Sequence, residues 1–338
     1  RGSPCSGFEH LPKHLFGNGT GTVFTDRTVI PYLWNHKTVF LRIGTNVVNF
    51  SGTGETFRKF PIFAKTKNIP PMALSFWKYE GAGNDFVVLD GRSGSFDPQR
   101  ETVRALCDRH FGVGADGLMI LENDPQAQFR MRYFNADGGE STMCGNGGRC
   151  IVLFAHHLGI GGSRKRFSGI DGVHDAQILS ADATAGEIRL GMIDVPRVEK
   201  FPDHYFLDTG SPHHVEFVPD VRREDVARKG AMIRRSDPYA AAGGTNVNFV
   251  EIVSDGRIRV RTYERGVEAE TLACGTGATA SALAAAVRSG SDCRNYRVDV
   301  EGGVLFVSFE RTGDERFTNV TLTGPAQKVF EGCLAEKF

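Results

Sequence analysis

Cysteine is sparse and scattered in this chain. Seven occur among 338 residues, the count is odd, and no two form a C-x2-C pair. These facts exclude a small disulfide scaffold and a zinc ribbon or finger, and they fit free thiols in a reducing, cytoplasmic setting. No apolar run approaches the ~18 residues needed to span a bilayer, so an integral helical membrane protein is excluded. No G-K-[ST] follows a glycine-rich loop, which excludes a P-loop.

Net charge is lacking too, since 40 basic residues balance 40 acidic ones. The balance hides two unlike pieces. Residues 1–71 carry nine basic and three acidic side chains, the remainder 31 and 37, so +6 stands against −6. The seam falls at the first methionine, Met72. An acidic main body lacks the basic face that phosphate recognition needs, which argues against a nucleic-acid binder. The leader shows no sustained helical period, and its apolar-rich stretch 38–50 suits an isolated strand or two. Basic, acid-poor leaders occur as organelle (plastid) transit segments, but those are usually Ser-rich and amphipathic. The favoured expectation for residues 1–71 is an extension, disordered or non-native, that stands outside the fold.

What the rest contains is short strands and few helices. Strands are expected at 74–79, 86–89, 118–121 and 129–134, with helices over 98–108 and 144–158. A second cycle follows: strands at 187–193, 213–218, 246–253 and 258–263, a small-residue helix over 276–288 closed by Gly290, and strands at 296–300, 305–310 and 318–322. Most connections are short enough for antiparallel pairing, so the fold class is α+β rather than doubly wound α/β.

The two cycles repeat a motif. Met143-Cys-Gly-Asn-Gly-Gly148 precedes one helix and Ala273-Cys-Gly-Thr-Gly-Ala278 another, 130 residues later. Comparable strand ends lie upstream, Arg132-Tyr-Phe-Asn135 and Arg261-Thr-Tyr-Glu264. Two such halves facing each other bring Cys144 and Cys274 to one cleft. A thiol at the first turn of a helix feels the positive end of the dipole, which favours thiolate. The flanking glycines let backbone N–H groups approach an anion such as a carboxylate. One thiol on each side of a carbon α to that carboxylate suits removal of a proton from one face and delivery to the other. A modest depression from the ordinary thiol pKa of ~8.5 then supplies a base at neutral pH. That chemistry needs no cofactor. Cys107, Cys150, Cys293 and Cys333 lack the repeated context and read as packing residues.

Two other patterns carry less. Gly112-Val-Gly-Ala-Asp-Gly117 fits G-x-G-x-x-G but follows a helix and opens a strand, the reverse of a dinucleotide fingerprint. His213 and His214, adjacent on a strand, point to opposite faces and so make a poor metal pair.

These residues resemble the diaminopimelate epimerase family of cofactor-independent, two-cysteine enzymes. The resemblance covers Met72 to the C-terminus. It rests on Lys78 to Phe86 (K-Y-E-G-A-G-N-D-F), Phe134-Asn-Ala-Asp-Gly138, Met143 to Gly147, Gly244-Thr-Asn-Val-Asn-Phe249, Tyr263-Glu-Arg-Gly266 and Thr271 to Gly277. Proline racemases, a related group, carry His where Asn146 stands, and the phenazine isomerases share the fold without the cysteines.

The resemblance implies two pseudo-symmetric domains, each a curved, mostly antiparallel sheet wrapped around a central helix. Residues 72–194 with 324–338 would form one, and 195–323 the other. It implies LL-diaminopimelate as substrate, meso-diaminopimelate as product, no metal and a homodimer. Cys144 and Cys274 would be the acid/base thiols. Gly145, Asn146, Gly275 and Thr276 would hold the reacting carboxylate, and Asn84, Asn135, Asn246, Glu264 and Arg265 the distal amino-acid end. His213, with Glu264, would orient the ammonium group or tune a thiol. Ser211 stands where many members have Asn, and a water could bridge the shorter reach.

Overall fold

The computed structural model describes residues 74–94, 96–142 and 144–334, and the backbone of four earlier strands, Thr20–Thr25, Thr28–Leu33, Val39–Ile43 and Asn46–Asn49. The remaining residues of the leader, and Met72 and Met143 in the main body, lie outside the described residues, and with the former the expectation of leader disorder. The chain divides into two compact units, Arg1–Leu74 with Gly332–Lys337, and Ser75–Glu331 with Phe338. In the first, Thr20–Thr25 and Thr28–Leu33 form one antiparallel pair. Val39–Ile43 and Asn46–Asn49, inside the apolar-rich stretch 38–50, form another. All the motifs of the repeat lie in the second unit.

Five α-helices occur among the described residues: α1 (Arg100–Cys107), α2 (Gly145–His157), α3 (Val226–Arg234), α4 (Asp237–Ala240) and α5 (Gly275–Ser289). Around α2 the strands run in the order Leu74–Gly81, Asn84–Asp90, Gly117–Glu122, Phe129–Asn135, Arg164–Gly169, Gly172–Ala181 and Ala185–Gly191. The long strand Phe317–Leu334 pairs with Ala185–Gly191 and with Leu74–Gly81, which closes the ring. Around α5 the order is Tyr205–Asp208, Pro212–Phe217, Asn246–Ser254, Arg257–Glu264, Asn295–Val300, Gly303–Arg311 and again Phe317–Leu334. The segment 195–200 completes the second ring, since Val195 bridges Phe317 and Glu199–Lys200 pairs with Tyr205–Asp208.

Each ring contains two parallel pairs among antiparallel ones, and in each case a helix makes the crossover that parallel strands require. In the first ring α1 links Asn84–Asp90 to Gly117–Glu122, and α2 links Phe129–Asn135 to Arg164–Gly169. In the second ring α3 and α4 precede Asn246–Ser254, and α5 precedes Asn295–Val300. The internal repeat of the sequence is therefore a repeat of topology.

The central helices show why they are central. From Gly145 to Ala155 every residue of α2 is buried, and α5 buries Gly275 and all of Gly277 to Ala286. A helix buried all round has no solvated stripe, hence Ile151, Val152, Leu153 and Phe154 in sequence. In α5 the small side chains of Ala278, Ala280, Ala282 and Ala284 let the sheet approach closely. The helix ends at Gly290 in the left-handed region, φ 62°, as its glycine predicts.

Several elements escape the sequence pattern, among them Tyr205–Asp208, α4, the hairpin at 164–181 and α3. The hairpin Arg164–Gly169 and Gly172–Ala181 contributes few fully apolar positions, chiefly Phe167, Ala176 and Ile178, among charged neighbours. Helix α3 hides behind Gly230, a helix-weakening residue that packing demands: a Cβ there would lie 2.4 Å from the Cβ of Tyr263.

Candidate active site

Cys144 and Cys274 are the N-cap residues of α2 and α5, each in extended backbone, φ −94° and −115°. Their carbonyls accept the first helical bonds, from Gly148 N–H at 2.7 Å and Ala278 N–H at 2.8 Å. Helix geometry leaves the N–H groups of the preceding residues without intrahelical acceptors. The Gly277 N–H donates to Cys274 Sγ at 3.4 Å, and the Thr276 hydroxyl also lies 3.4 Å from that sulfur. At Cys144 the N–H groups of Gly147 and Asn146 play the matching part. Both thiols thus stand over the positive ends of their helices.

The glycine after each cysteine brings the two helix starts together. A Cβ on Gly145 would lie 3.3 Å from Gly275 Cα, and one on Gly275 3.1 Å from Gly145 Cα. Either would also meet Leu322 Cδ2 at 2.9 Å. The two N-termini therefore meet backbone to backbone at the point where the last strand crosses, with one thiol preceding each. Side chains larger than hydrogen at these two positions would force the helices apart.

Glu264 ends strand Arg257–Glu264, the counterpart of Asn135 at the end of Phe129–Asn135. It lies close enough to act electrostatically on both thiols. Burial pushes its own carboxyl up, and the neighbouring Cys274 thiol opposes that shift. The sequence expectation of depressed thiol pKa values is reversed in direction. Burial pushes Cys144 up despite the N–H groups of Gly147 and Asn146. Cys274, only 6% exposed, is pushed well above its ordinary value by burial and then by the Glu264 charge. Desolvation of a thiolate outweighs a helix dipole when the cap is covered by a facing domain, and no pattern of glycines in a sequence discloses that cover.

The asparagines form struts. Asn146, fully buried, donates from Nδ2 to Asn84 Oδ1 at 2.5 Å and to Ala273 O at 2.9 Å, which ties the first half-site to the residue before Cys274. With its Oδ1 accepting from Arg149, its side chain is fully engaged, and what it can offer a carboxylate is its backbone N–H. Asn84 donates in turn to Asp116 Oδ2 at 2.8 Å. Asn246 accepts the Arg265 N–H at 2.8 Å, and Arg265 Nη1 reaches Gly244 O at 3.4 Å. Ser211 sits next to this group: its carbonyl accepts from Thr209 N–H, whose hydroxyl donates to Thr276 O at 3.0 Å. Asn135 has an exposed side chain beside Gly117 and is not drawn into these bonds.

His213 is fully buried, and Asn248 Nδ2 donates to its Nδ1 at 3.0 Å. Asn248 is fixed in that orientation because its Oδ1 accepts the Thr262 hydroxyl and its Nδ2 also reaches His214 O. The His213 proton therefore sits on Nε2, which has no hydrogen-bond partner in the structure. A neutral ring with Nε2–H donates; it serves an anion rather than an ammonium group, which narrows the two roles expected of it. Burial and then the Arg265 charge lower its pKa to about 3.

A folded-state pKa far below the unfolded value makes the stability contribution fully present above the unfolded value, near 6.5. It is lost as pH falls toward about 3. Replacing His213 with Gln is expected to flatten the acid side of the melting-temperature profile between neutrality and pH ~4. An equal acid loss in both proteins would contradict this assignment.

Several site residues lay outside the sequence reading. Arg149 and Asn248 are buried polar residues; the first locks the start of α2 and the second holds His213. Asp116 holds Asn84 and is itself held by Arg109 at 2.7 Å. Asp85, although burial opposes its charge, is kept at about 2 by hydrogen bonds from Arg109 and Lys78. The available signal was a polar side chain inside an otherwise apolar element, as Arg149 is between Gly148 and Cys150. No group of His, Cys, Asp and Glu among the described residues forms a metal-binding cluster.

A family model described as Diaminopimelate epimerase matches residues 76–191 and 205–329. A protein named diaminopimelate epimerase from Flavobacterium psychrophilum is 48% identical over 76% of this chain and 99% of its own length. One of the same name from Chlorobaculum tepidum is 43% identical over 75% of this chain and 98% of its own. Among solved structures, a PhzF-family phenazine biosynthesis protein from Bacillus anthracis superposes with a TM-score of 0.62 at 13% identity, covering 78% of this chain and 99% of that one. A probable proline racemase from Agrobacterium radiobacter gives 0.58 at 16%, over 78% and 93%. These two likenesses carry the fold alone, whereas the family match and the identity to the named epimerases carry more: this chain belongs to the diaminopimelate epimerase family.

Proposed function

We propose that this protein is an isomerase that converts LL-2,6-diaminopimelate to the meso form without a cofactor, as a step in lysine and peptidoglycan-precursor biosynthesis. The observation that carries the reading is the backbone contact between Gly145 and Gly275, which sets two cysteine-capped helix starts against each other. The N–H groups of Gly145, Asn146, Gly275 and Thr276 hold the reacting carboxylate, where negative charge grows as the α-proton leaves. One thiolate of the Cys144–Cys274 pair takes that proton on one face. The other thiol gives a proton on the opposite face.

Asn84, Asn135, Asn246, Arg265 and Ser211 receive the distal amino-acid end, which needs donors for its carboxylate and acceptors for its ammonium. Glu264 sits by both thiols, and His213 offers its Nε2–H to an anion. No helix among the described residues is long and apolar enough to cross a membrane. A homodimer in the cytoplasm completes the proposal.

The test is turnover under reducing conditions of LL-diaminopimelate, L-proline and trans-4-hydroxy-L-proline. Inversion of diaminopimelate alone is expected. Inversion of the cyclic amino acids alone would replace this reading with that of a proline-type racemase, and binding of diaminopimelate without inversion would make the protein a non-catalytic relative.

A further inference from the structure

Five residues beyond each cysteine the two half-sites pin the same atom with different chemistry. Arg149 Nη1 donates to Gly145 O at 3.0 Å, and Thr279 Oγ1 donates to Gly275 O at 3.0 Å. Both side chains are fully buried. Each fixes the carbonyl of the glycine that follows its thiol, but one device is a cation and the other is neutral.

Arg149 makes two further bonds, from Nη2 to Asn146 Oδ1 at 2.9 Å and from Nε to Pro325 O at 3.1 Å on the last strand. None of its partners is a carboxylate, yet a guanidinium remains protonated in a protein. A buried cation without an anion is costly. The acidic groups that face it are the thiols of Cys150 and Cys144 and, after them, the carboxylate of Glu80. Cys150 is fully buried behind the helix start and is held protonated by burial. Cys144 is the thiol at the helix start itself, faced by the Gly147 N–H, by Glu264 across the site, by the Asn146 N–H and, after these, by Arg149, the one cation among them. Cys274 has no cation in the matching place, and Glu264, the Thr276 hydroxyl and the Gly277 N–H are what face it.

We propose that Arg149 is a positioning residue that breaks the symmetry of the thiol pair, making Cys144 the member that ionises first and Cys274 the member that keeps its proton. The guanidinium also holds the Gly145 carbonyl and the Asn146 amide, so charge and geometry are set by one side chain. In the resting enzyme the α C–H bond on the Cys144 face breaks, the proton passes to Cys144 sulfur and the electron pair moves toward the carboxylate. The Cys274 S–H bond then breaks as a new C–H bond forms on the other face. Proton exchange with solvent afterwards returns the proton to Cys274 and removes it from Cys144. The inference rests on the two-thiol reading above.

The experiment is the pH dependence of alkylation at each thiol, read peptide by peptide by mass spectrometry in the whole folded chain without substrate. Cys144 is expected to titrate below Cys274 in the wild type. In Arg149→Met the Cys144 curve rises by roughly one pH unit or more while the Cys274 curve stays, and Arg149→Lys restores most of the difference. Cys274 titrating at or below Cys144 in the wild type would overturn the proposal, and that result requires no variant. So would a folded Arg149→Met protein in which Cys144 is unmoved, or in which both curves move together. Because alkylation needs no turnover, the predicted order in a protein that fails to invert diaminopimelate would refute the proposed substrate and leave the role of Arg149 standing.

Discussion

Replacing Cys144 or Cys274 with Ala is expected to lower inversion of LL-diaminopimelate by about 10²–10⁴-fold, the range a positioned acid or base supplies. The double variant should be little worse than either single one, because groups that act as a unit lose their contribution together. The remaining described cysteines are the internal control. Cys107 and Cys150 are buried and pushed far up by that burial, to about 12 for Cys107, and neither caps a helix. Cys107→Ala should therefore leave inversion near the wild-type rate. Full inversion in Cys144→Ala or in Cys274→Ala would remove the two-thiol mechanism, and a melting temperature close to wild type in each keeps the comparison one of chemistry rather than folding.

Gly145→Ala and Gly275→Ala should be nearly as damaging, with the opposite sign from ordinary helix propensity. In an unconstrained helix, Gly to Ala is worth roughly 1 kcal/mol of added stability. Here the added methyl would stand 2.9 Å from Leu322 Cδ2 and 3.1–3.3 Å from the facing glycine Cα. Leu322 can rotate, but the opposite backbone cannot, so the helix starts must separate by a few tenths of an ångström. Overpacking of that kind costs about 1–3 kcal/mol, and since a ~1 Å misplacement of a reacting group can cost on the order of 10²-fold in rate, that figure is the upper bound for a shift of a few tenths. Gly162→Ala, which meets nothing within 4 Å, is the control and should show neither effect. A stabilised, fully active Gly275→Ala would mean that the contact between the helix starts does not set the thiols.

Most of the fold was legible because the two rings are written twice. The strand ends Asn135 and Glu264, the cysteine caps and the helices after them can be found by comparing one half of the chain with the other. The alternation of short strands also gave the α+β class. What escaped was set by neighbours distant in sequence. Gly230 reads as a helix breaker until Tyr263 is seen against it, and the hairpin at 164–181 has too few buried apolar residues to announce itself.

At the site, residue types were legible and their states were not. The sequence shows cysteines at helix starts, yet the direction of their titration depends on how completely the facing half covers them and on Glu264, 120 and ten residues away in the chain from Cys144 and Cys274 respectively. The side chain of Asn146 is a motif residue whose amide turned inward to bridge Asn84 and Ala273. In the sequence Arg149 is one charged residue on a helix, and only its burial identifies it as part of the site.

The central claim is that two different thiols act on opposite faces of one carbon. Its most direct test is LL-diaminopimelate turned over in deuterated water under reducing conditions, sampled while little product has formed. The meso product should carry one deuterium at the inverted carbon, while the recovered LL substrate remains unlabelled, because the proton that leaves on one face is not the one that arrives on the other. Early product that keeps its original hydrogen, or substrate that acquires label as fast as product forms, would point to a single group working on both faces and would contradict the account.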